Sequence, residues 1–316
     1  MQKKIIFPVL LSFLLLCSCS NSPTVQNTDS TVVKKEKQNN TNIDKEKSEN
    51  SNTEIEENST KNTDKPANNP GINDNATVNN PTVTTTYKAA NQGVPVIMYH
   101  SIAYEEGNPA RLPVENFKAQ MQYLKDNNYT TLTLDELYKY YTEDYPIPEK
   151  SVVLTFDDGY DDNYTSAYPI LKQFGFKATI FLISDFIDKM PGYLNSTQVK
   201  ELNANGMSIE CHTVDHPHLD QLTVDQQKLE LENSKQAIEK LLNKQVKYIA
   251  YPYGGYNQDT LSLVSQLGYS LAFTTDGRWS EKSDGLVTLD RVYISGFAPL
   301  EKFITRITDP NYDNTD

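Results

Sequence analysis

From residue 91 onward the chain alternates between two kinds of segment, and that alternation bounds its fold. Short apolar, partly β-branched runs read as buried strands at Val94–Tyr99, Ser151–Phe156, Ala178–Ile183, Met207–Cys211, Tyr248–Tyr251, Tyr269–Phe273 and Leu286–Val292. Helical segments lie between them. Phe117, Met121 and Leu124 share one helical face, and Leu134–Tyr141 continues as a second helix. Gly175 stops a helix over Tyr164–Phe174. Ser196 caps another that ends at Gly206, and Thr223 with Gln226 makes a capping box for a long helix reaching Asn243. One more helix runs to Gly268, and Pro299–Ile307 forms the last. Such an order implies parallel strands with helical crossovers, hence an α/β sheet or barrel. In a βα barrel the working side chains sit on loops at the C-terminal ends of the strands. Polar residues of catalytic type should therefore follow the predicted strands, and they do.

The first 90 residues are of another kind. Lys3 and Lys4 precede an apolar run from Ile5 to Leu16, the pattern of a secretory signal. The run is shorter than the roughly 20 apolar residues of a membrane span. Leu16-Cys17-Ser18-Cys19 resembles a bacterial lipobox, with Cys19 the better lipid acceptor because small Ser18 precedes it. An ordinary cleaved signal is the alternative. Residues 20–90 contain no Phe, Trp or Leu, and such a segment cannot bury enough apolar surface to offset its ordering entropy. A disordered tether is expected there, with a mean reach of about 45 Å and a drawn-out length of roughly 230 Å. The organisation read from the chain is thus a lipoprotein signal over 1–19, a tether over 20–90 and a folded domain over 91–316. It implies a protein lipid-anchored on the extracellular face of the cell membrane.

Nearly all of the net charge of −13 falls in the folded part. An acidic domain without basic patches argues against a nucleic-acid partner. It would not repel a neutral glycan, or a product carrying new amines. Cys211 is the only cysteine after residue 19, so no disulfide is expected within the domain. Nothing in the sequence calls for an oligomer, and a monomer is expected.

Three places carry chemistry. Asp157-Asp158-Gly159 follows the strand ending at Phe156. Two adjacent carboxylates at a strand end repel each other when ionised, and a cation held by one removes the conflict. A plain Asp-Asp-Gly turn is the alternative. His212-Thr213-Val214-Asp215-His216 follows the strand ending at Cys211. Histidines at i and i+4 meet on one face of a helical turn, close enough to share a metal. With Asp158 they form a two-histidine, one-carboxylate set that suits Zn²⁺, while Co²⁺, Mn²⁺ and Fe²⁺ stay open. His218 reads as an ordinary surface histidine. His100, in Met98-Tyr99-His100-Ser101, ends the first strand of the domain, where a barrel places function, a core histidine at the strand end being the alternative.

Thr155-Phe156-Asp157-Asp158-Gly159, His212-Thr213-Val214-Asp215-His216-Pro217 and Tyr251-Pro252-Tyr253-Gly254 resemble, in order, the first three motifs of NodB-type polysaccharide deacetylases, carbohydrate esterase family four. The resemblance implies a distorted (β/α) barrel of the NodB-homology type and metal-dependent removal of acetyl groups from an acetylated polysaccharide. It implies that Asp158, His212 and His216 hold the metal, that Asp157 is the general base and that the Tyr253 N–H stabilises the oxyanion. Two departures stand out. The third motif usually begins with an arginine that holds the catalytic aspartate, and Ala250 stands there; Arg291 is expected to replace it, a surface salt-bridge partner being the alternative. The family's late acid histidine is also absent. His100 resembles the acid histidine of the rearranged branch that includes poly-β-1,6-N-acetylglucosamine deacetylases, where it comes from the N-terminal side. A closed barrel can fill one spatial slot from either end of the chain. Leu219 is expected near an acetyl pocket, and Trp279 either on a sugar ring or packed in the fold. An O-acetyl esterase on xylan-like polymers, or a glycan-binding lipoprotein without catalysis, are the other readings.

Overall fold

The structure is a computed structural model, and it describes residues 86–314. The expected signal with Cys17 and Cys19, and the tether up to residue 85, lie outside the described residues. The chain is already engaged before residue 91. The Glu149 N–H donates to the Thr86 carbonyl and the Lys88 N–H to that of Ile147, both at 2.9 Å. No helix among the described residues is long and apolar enough to cross a membrane.

The order of elements is β1 (Val96–Tyr99), α1 (Val114–Asp126), β2 (Thr130–Leu132), α2 (Leu134–Glu143), β3 (Ser151–Phe156), α3 (Tyr168–Phe174), β4 (Thr179–Leu182), α4 (Ser196–Ala204), β5 (Ser208–Cys211), α5 (Val224–Leu242), β6 (Tyr248–Ala250), α6 (Gln258–Gln266), β7 (Leu271–Phe273), β8 (Val292–Tyr293) and α7 (Leu300–Thr308). A five-residue π-helix, Asn163–Ala167, leads into α3. The strands pair in the order β7-β6-β5-β4-β3-β1-β8, all parallel. β2 lies along the first half of β3, on the edge that β4 takes over at Thr155. The irregular stretch 286–293 closes the ring. It exchanges hydrogen bonds with β7 through Leu286 and Leu289, then pairs with β1 through Val292 and Tyr293. The result is a distorted (β/α) barrel, as the family resemblance implied, where the alternation alone left sheet and barrel open.

Side chains of period two divide the strands between two cores. Ile97, Tyr99, Leu154, Phe156, Ile180, Leu182, Ile209, Cys211, Ile249 and Tyr251 face outward and pack under the helices. Val96, Val153, Phe181, Tyr248, Ala250, Leu271 and Phe273 face the barrel interior, where Leu134, Leu137, Tyr140 and Tyr141 of α2 join them. The parity has a consequence for chemistry. Extending the inward set by one step beyond β1, β3 and β5 gives His100, Asp157 and His212.

Two local readings change. α4 is capped by Asn195, not Ser196, because the Asn195 side chain accepts from the Thr197 and Gln198 N–H groups, both at 3.0 Å. β2 was not expected at all; Thr130-Thr131-Leu132 has a single apolar side chain and forms no apolar run. At α5 the Thr223–Gln226 box forms as read. Thr223→Ala should therefore lower stability by about 1 kcal/mol in urea unfolding, with the slope unchanged.

Candidate active site

The first wall of the site comes from the turn after β3. Asp158 and Gly159 both take left-handed backbone, φ 71° and 79°. That reverses the chain and swings the Asp158 carboxylate round toward β5. A side chain at Gly159 would meet Leu182 as well as an unfavourable φ. Asp157 remains on the inward face, fully buried. Its two oxygens accept from the two terminal nitrogens of Arg291, each at 2.7 Å. Arg291 is itself 0% exposed, and its Nε donates to the Thr274 carbonyl at 3.0 Å. Burial alone would push the Asp157 carboxyl up. The Arg291 guanidinium outweighs it and holds that carboxyl well below the usual carboxylate range.

The second wall is the loop after β5. The expected helical turn over 212–216 does not form; the loop is irregular, with Thr213 at φ 67° and His216 at φ 65°. A β-branched residue in that region is strained. The strain is supported locally, since Thr213 Oγ1 accepts the His216 N–H at 3.1 Å and the Thr213 carbonyl accepts from Ser184. This geometry, rather than helical periodicity, brings the two rings together. His212 Nε2 and His216 Nε2 lie 3.1 Å apart, and each is 3.4 Å from Asp158 Oδ1.

These three atoms fit a divalent cation. Ligands about 2.0–2.1 Å from a tetrahedral centre sit roughly 3.3–3.4 Å from one another. Asp158 Oδ1 is buried and has no hydrogen-bond partner among the described residues. His212 Nδ1 is 2.8 Å from the Ala250 carbonyl, which places the ring proton there and turns the Nε2 lone pair toward Asp158 and His216. Burial and the neighbouring His212 push His216 down to about 4, so its ring is a neutral lone-pair donor at ordinary pH.

His100 occupies the opposite side of the same cleft, a cavity of about 480 Å³. Its Nδ1 is buried and has no hydrogen-bond partner among the described residues. The strand end that carries it is clamped from the π-helix. Asn163 Nδ2 donates to the His100 carbonyl at 2.8 Å, while Asp162 accepts from Ser101 Oγ at 2.5 Å and the Ile102 N–H at 2.8 Å. Tyr253 closes the third side with left-handed backbone, φ 58°, and a ring 4.5 Å from that of His216.

Some site residues escaped the sequence reading. Tyr160, Phe186 and Tyr193 line the cleft as an aromatic wall, with the two tyrosines stacked at 4.9 Å. Tyr160 directly follows Asp-Asp-Gly and was within reach of inference; Phe186 ends a single 3₁₀ turn and Tyr193 lies in the loop beyond it, and neither carries a periodic signal. His218 is exposed, as expected, and stacks on the exposed ring of Tyr253 at 4.0 Å. Leu219 does not line the cleft; it is fully buried beneath the helices. Trp279 is far from the cleft, its Nε1 donating to the Arg306 carbonyl at 2.7 Å.

Residues 144–272 match the sequence profile of the family described as polysaccharide deacetylase. YxkH of Bacillus subtilis, named for the same family, is 43% identical over 202 residues, which are 64% of this chain and 71% of that protein. This chain belongs to the polysaccharide deacetylase family. A poly-beta-1,6-N-acetyl-D-glucosamine N-deacetylase of Staphylococcus aureus is 30% identical over 195 residues, 57% of this chain and 66% of the enzyme. Among solved structures, the Streptococcus pyogenes deacetylase PplD in complex with acetate superposes with a TM-score of 0.66 at 34% identity, over 69% of this chain and 99% of PplD. Within this polysaccharide deacetylase, Ala250 stands where the third motif usually has its arginine and offers only a backbone carbonyl to His212. The cation beside Asp157 is instead that of Arg291.

Proposed function

We propose that this polysaccharide deacetylase removes N-acetyl groups from N-acetylglucosamine residues of a cell-surface polysaccharide, poly-N-acetylglucosamine or peptidoglycan. The observation that carries the reading is the convergence of Asp158, His212 and His216 within 3.4 Å of one another, beside an ionised Asp157 and opposite His100. Asp158, His212 and His216 would hold a divalent cation, Zn²⁺ in the first instance. Such an ion, when bound, polarises a carbonyl and makes water acidic enough to react near neutral pH. Asp157 takes the proton of the attacking water, and Arg291 keeps that carboxylate ionised and aimed. The Tyr253 N–H donates to the oxygen that gains charge as water adds to the acetyl carbon. His100, in its protonated form, gives a proton to the sugar nitrogen as the C–N bond breaks. Acetate and a free amine leave.

Acetate release should be measured from N-acetylglucosamine oligomers, peptidoglycan and acetylxylan, with and without a chelator. Chelator-sensitive release from the first two fits the proposal. Release from acetylxylan alone would make the protein an O-acetyl esterase. No release from any of them would leave a glycan-binding protein. His100→Ala should keep its metal while activity falls by about 10²–10⁴-fold; loss of metal from that variant would remove the assignment. We further propose that Cys19 carries a lipid that anchors the enzyme on the outer face of the membrane. Cys19→Ala should then move the protein out of the membrane fraction.

A further inference from the structure

A cavity of about 580 Å³, larger than the catalytic cleft, lies at the other end of the barrel. Gly93 before β1, Ser151 at the start of β3 and Thr308 at the end of α7 line it. The length of β3 sets it roughly 20 Å from Asp157, at about 3.3 Å per residue. Trp279, the only tryptophan of the chain, forms part of its wall. The hydrogen bond from its Nε1 to Arg306 fixes the indole edge inward.

Lys88 is the unusual group here. It is only 9% exposed, and its Nζ lies 5.4 Å from the centre of the Trp279 ring. Among the described residues no carboxylate comes within ion-pair distance of that ammonium and no acceptor takes a hydrogen bond from it. Burial draws its pKa down, opposed by the more distant Glu149. A lysine largely withdrawn from water, with an aromatic face beside its ammonium but no ion-pair partner among the described residues, gains from an anion brought into the cavity. Across the cavity Lys150 lies over the ring of Tyr129. The carboxamides of Asn91 and Gln92 and the carboxylates of Glu149 and Glu281 complete a wall rich in hydrogen-bonding groups. Aromatic faces set among amides and carboxylates suit a ring studded with hydroxyls.

We propose that this cavity is a second saccharide site, taking a hexosamine ring that bears a carboxylate, with the acid group on Lys88 and the ring against the Trp279–Tyr129 wall. A neutral sugar would leave the ammonium unanswered, and a bare anion would leave the aromatic wall unused. Occupied from the pole opposite the catalytic cleft, the site would hold the enzyme on an acidic glycan while the cleft works on another segment, raising the local substrate concentration.

Because Trp279 is unique, its fluorescence reports on this cavity alone. The full chain should be titrated with N-acetylmuramic acid, with N-acetylglucosamine (the same ring without the lactyl carboxylate) and with inorganic phosphate. The expected result is a saturable change with N-acetylmuramic acid and at least tenfold weaker binding of the other two. Lys88→Met should weaken the response to N-acetylmuramic acid at least tenfold and Lys88→Arg should retain it. Acetate release from an N-acetylglucosamine tetramer should be unchanged in both variants, which also shows that they fold. The absence of a saturable change, an unaltered titration in Lys88→Met, or an equal response to inorganic phosphate would each overturn the proposal. None of these outcomes depends on which glycan the catalytic cleft deacetylates.

Discussion

Asp158→Ala is expected to lose its metal on dialysis and to lose acetate release by on the order of a thousandfold or more. The reason lies in the donor set. Asp158 supplies the only negative charge among the three convergent atoms, and its Oδ1 has no hydrogen-bond partner among the described residues. Without it two neutral imidazoles would face each other at 3.1 Å, a pair of lone pairs without a counter-charge for a dication. Asp158→Asn should fall between wild type and alanine in metal retention, because it keeps an oxygen donor but not the charge. Metal analysis of the purified variants, together with activity after adding back Zn²⁺, separates this from misfolding. Full metal occupancy in Asp158→Ala would remove the ligand assignment. His100→Ala provides the contrast, as it should lose activity with its metal in place.

How far the sequence could be read depended on the kind of signal. Strands β3 and β6 and the capping box at Thr223 were legible because short apolar, partly β-branched runs and capping side chains act locally. The site residues were legible for a related reason: all but His216 sit within two residues of the end of a readable strand, and His216 follows in the loop after Cys211. What stayed hidden depends on backbone that no pattern encodes. His212 and His216 were expected to meet on a helical turn, and they meet through two left-handed residues instead. The spacing was informative although the conformation inferred from it was not the one adopted. Leu219 was expected near the acetyl group, but its loop curls inward and buries it. Trp279 could not be placed because a lone aromatic in a loop carries no register. The Tyr160–Tyr193 stack joins two loops more than thirty residues apart, and only the folded chain brings them together.

Arg291 is where sequence and structure meet most directly, and it carries the second large expected effect. Arg291→Met should destabilise the domain by about 3–5 kcal/mol, the range for breaking a buried pair by removing one partner. The variant leaves Asp157 fully buried, with both oxygens stripped of their 2.7 Å donors. Deprived of the guanidinium, the carboxyl has burial as its dominant influence and its pKa must rise. A group whose pKa is depressed on folding stabilises the fold above its unfolded pKa and ceases to do so as pH falls through the folded value. Wild type therefore keeps this contribution into strong acid, and Arg291→Met should not have it at any pH. The double variant Asp157→Asn with Arg291→Met tests the cause. If the penalty comes from an unpaired buried carboxylate, the double variant should recover much of the stability lost by Arg291→Met alone, as a coupling energy in a mutant cycle measured by urea unfolding. Additive losses would mean that Arg291 acts through packing over Phe181 and its bond to Thr274 rather than through Asp157. Catalysis should follow the same logic without involving the metal. Arg291→Met should retain its cation at wild-type stoichiometry while turnover collapses, because the carboxylate that takes the proton of water is neither held nor kept ionised. Unimpaired turnover in a folded Arg291→Met protein would end the idea that this residue does the work of the arginine missing at position 250.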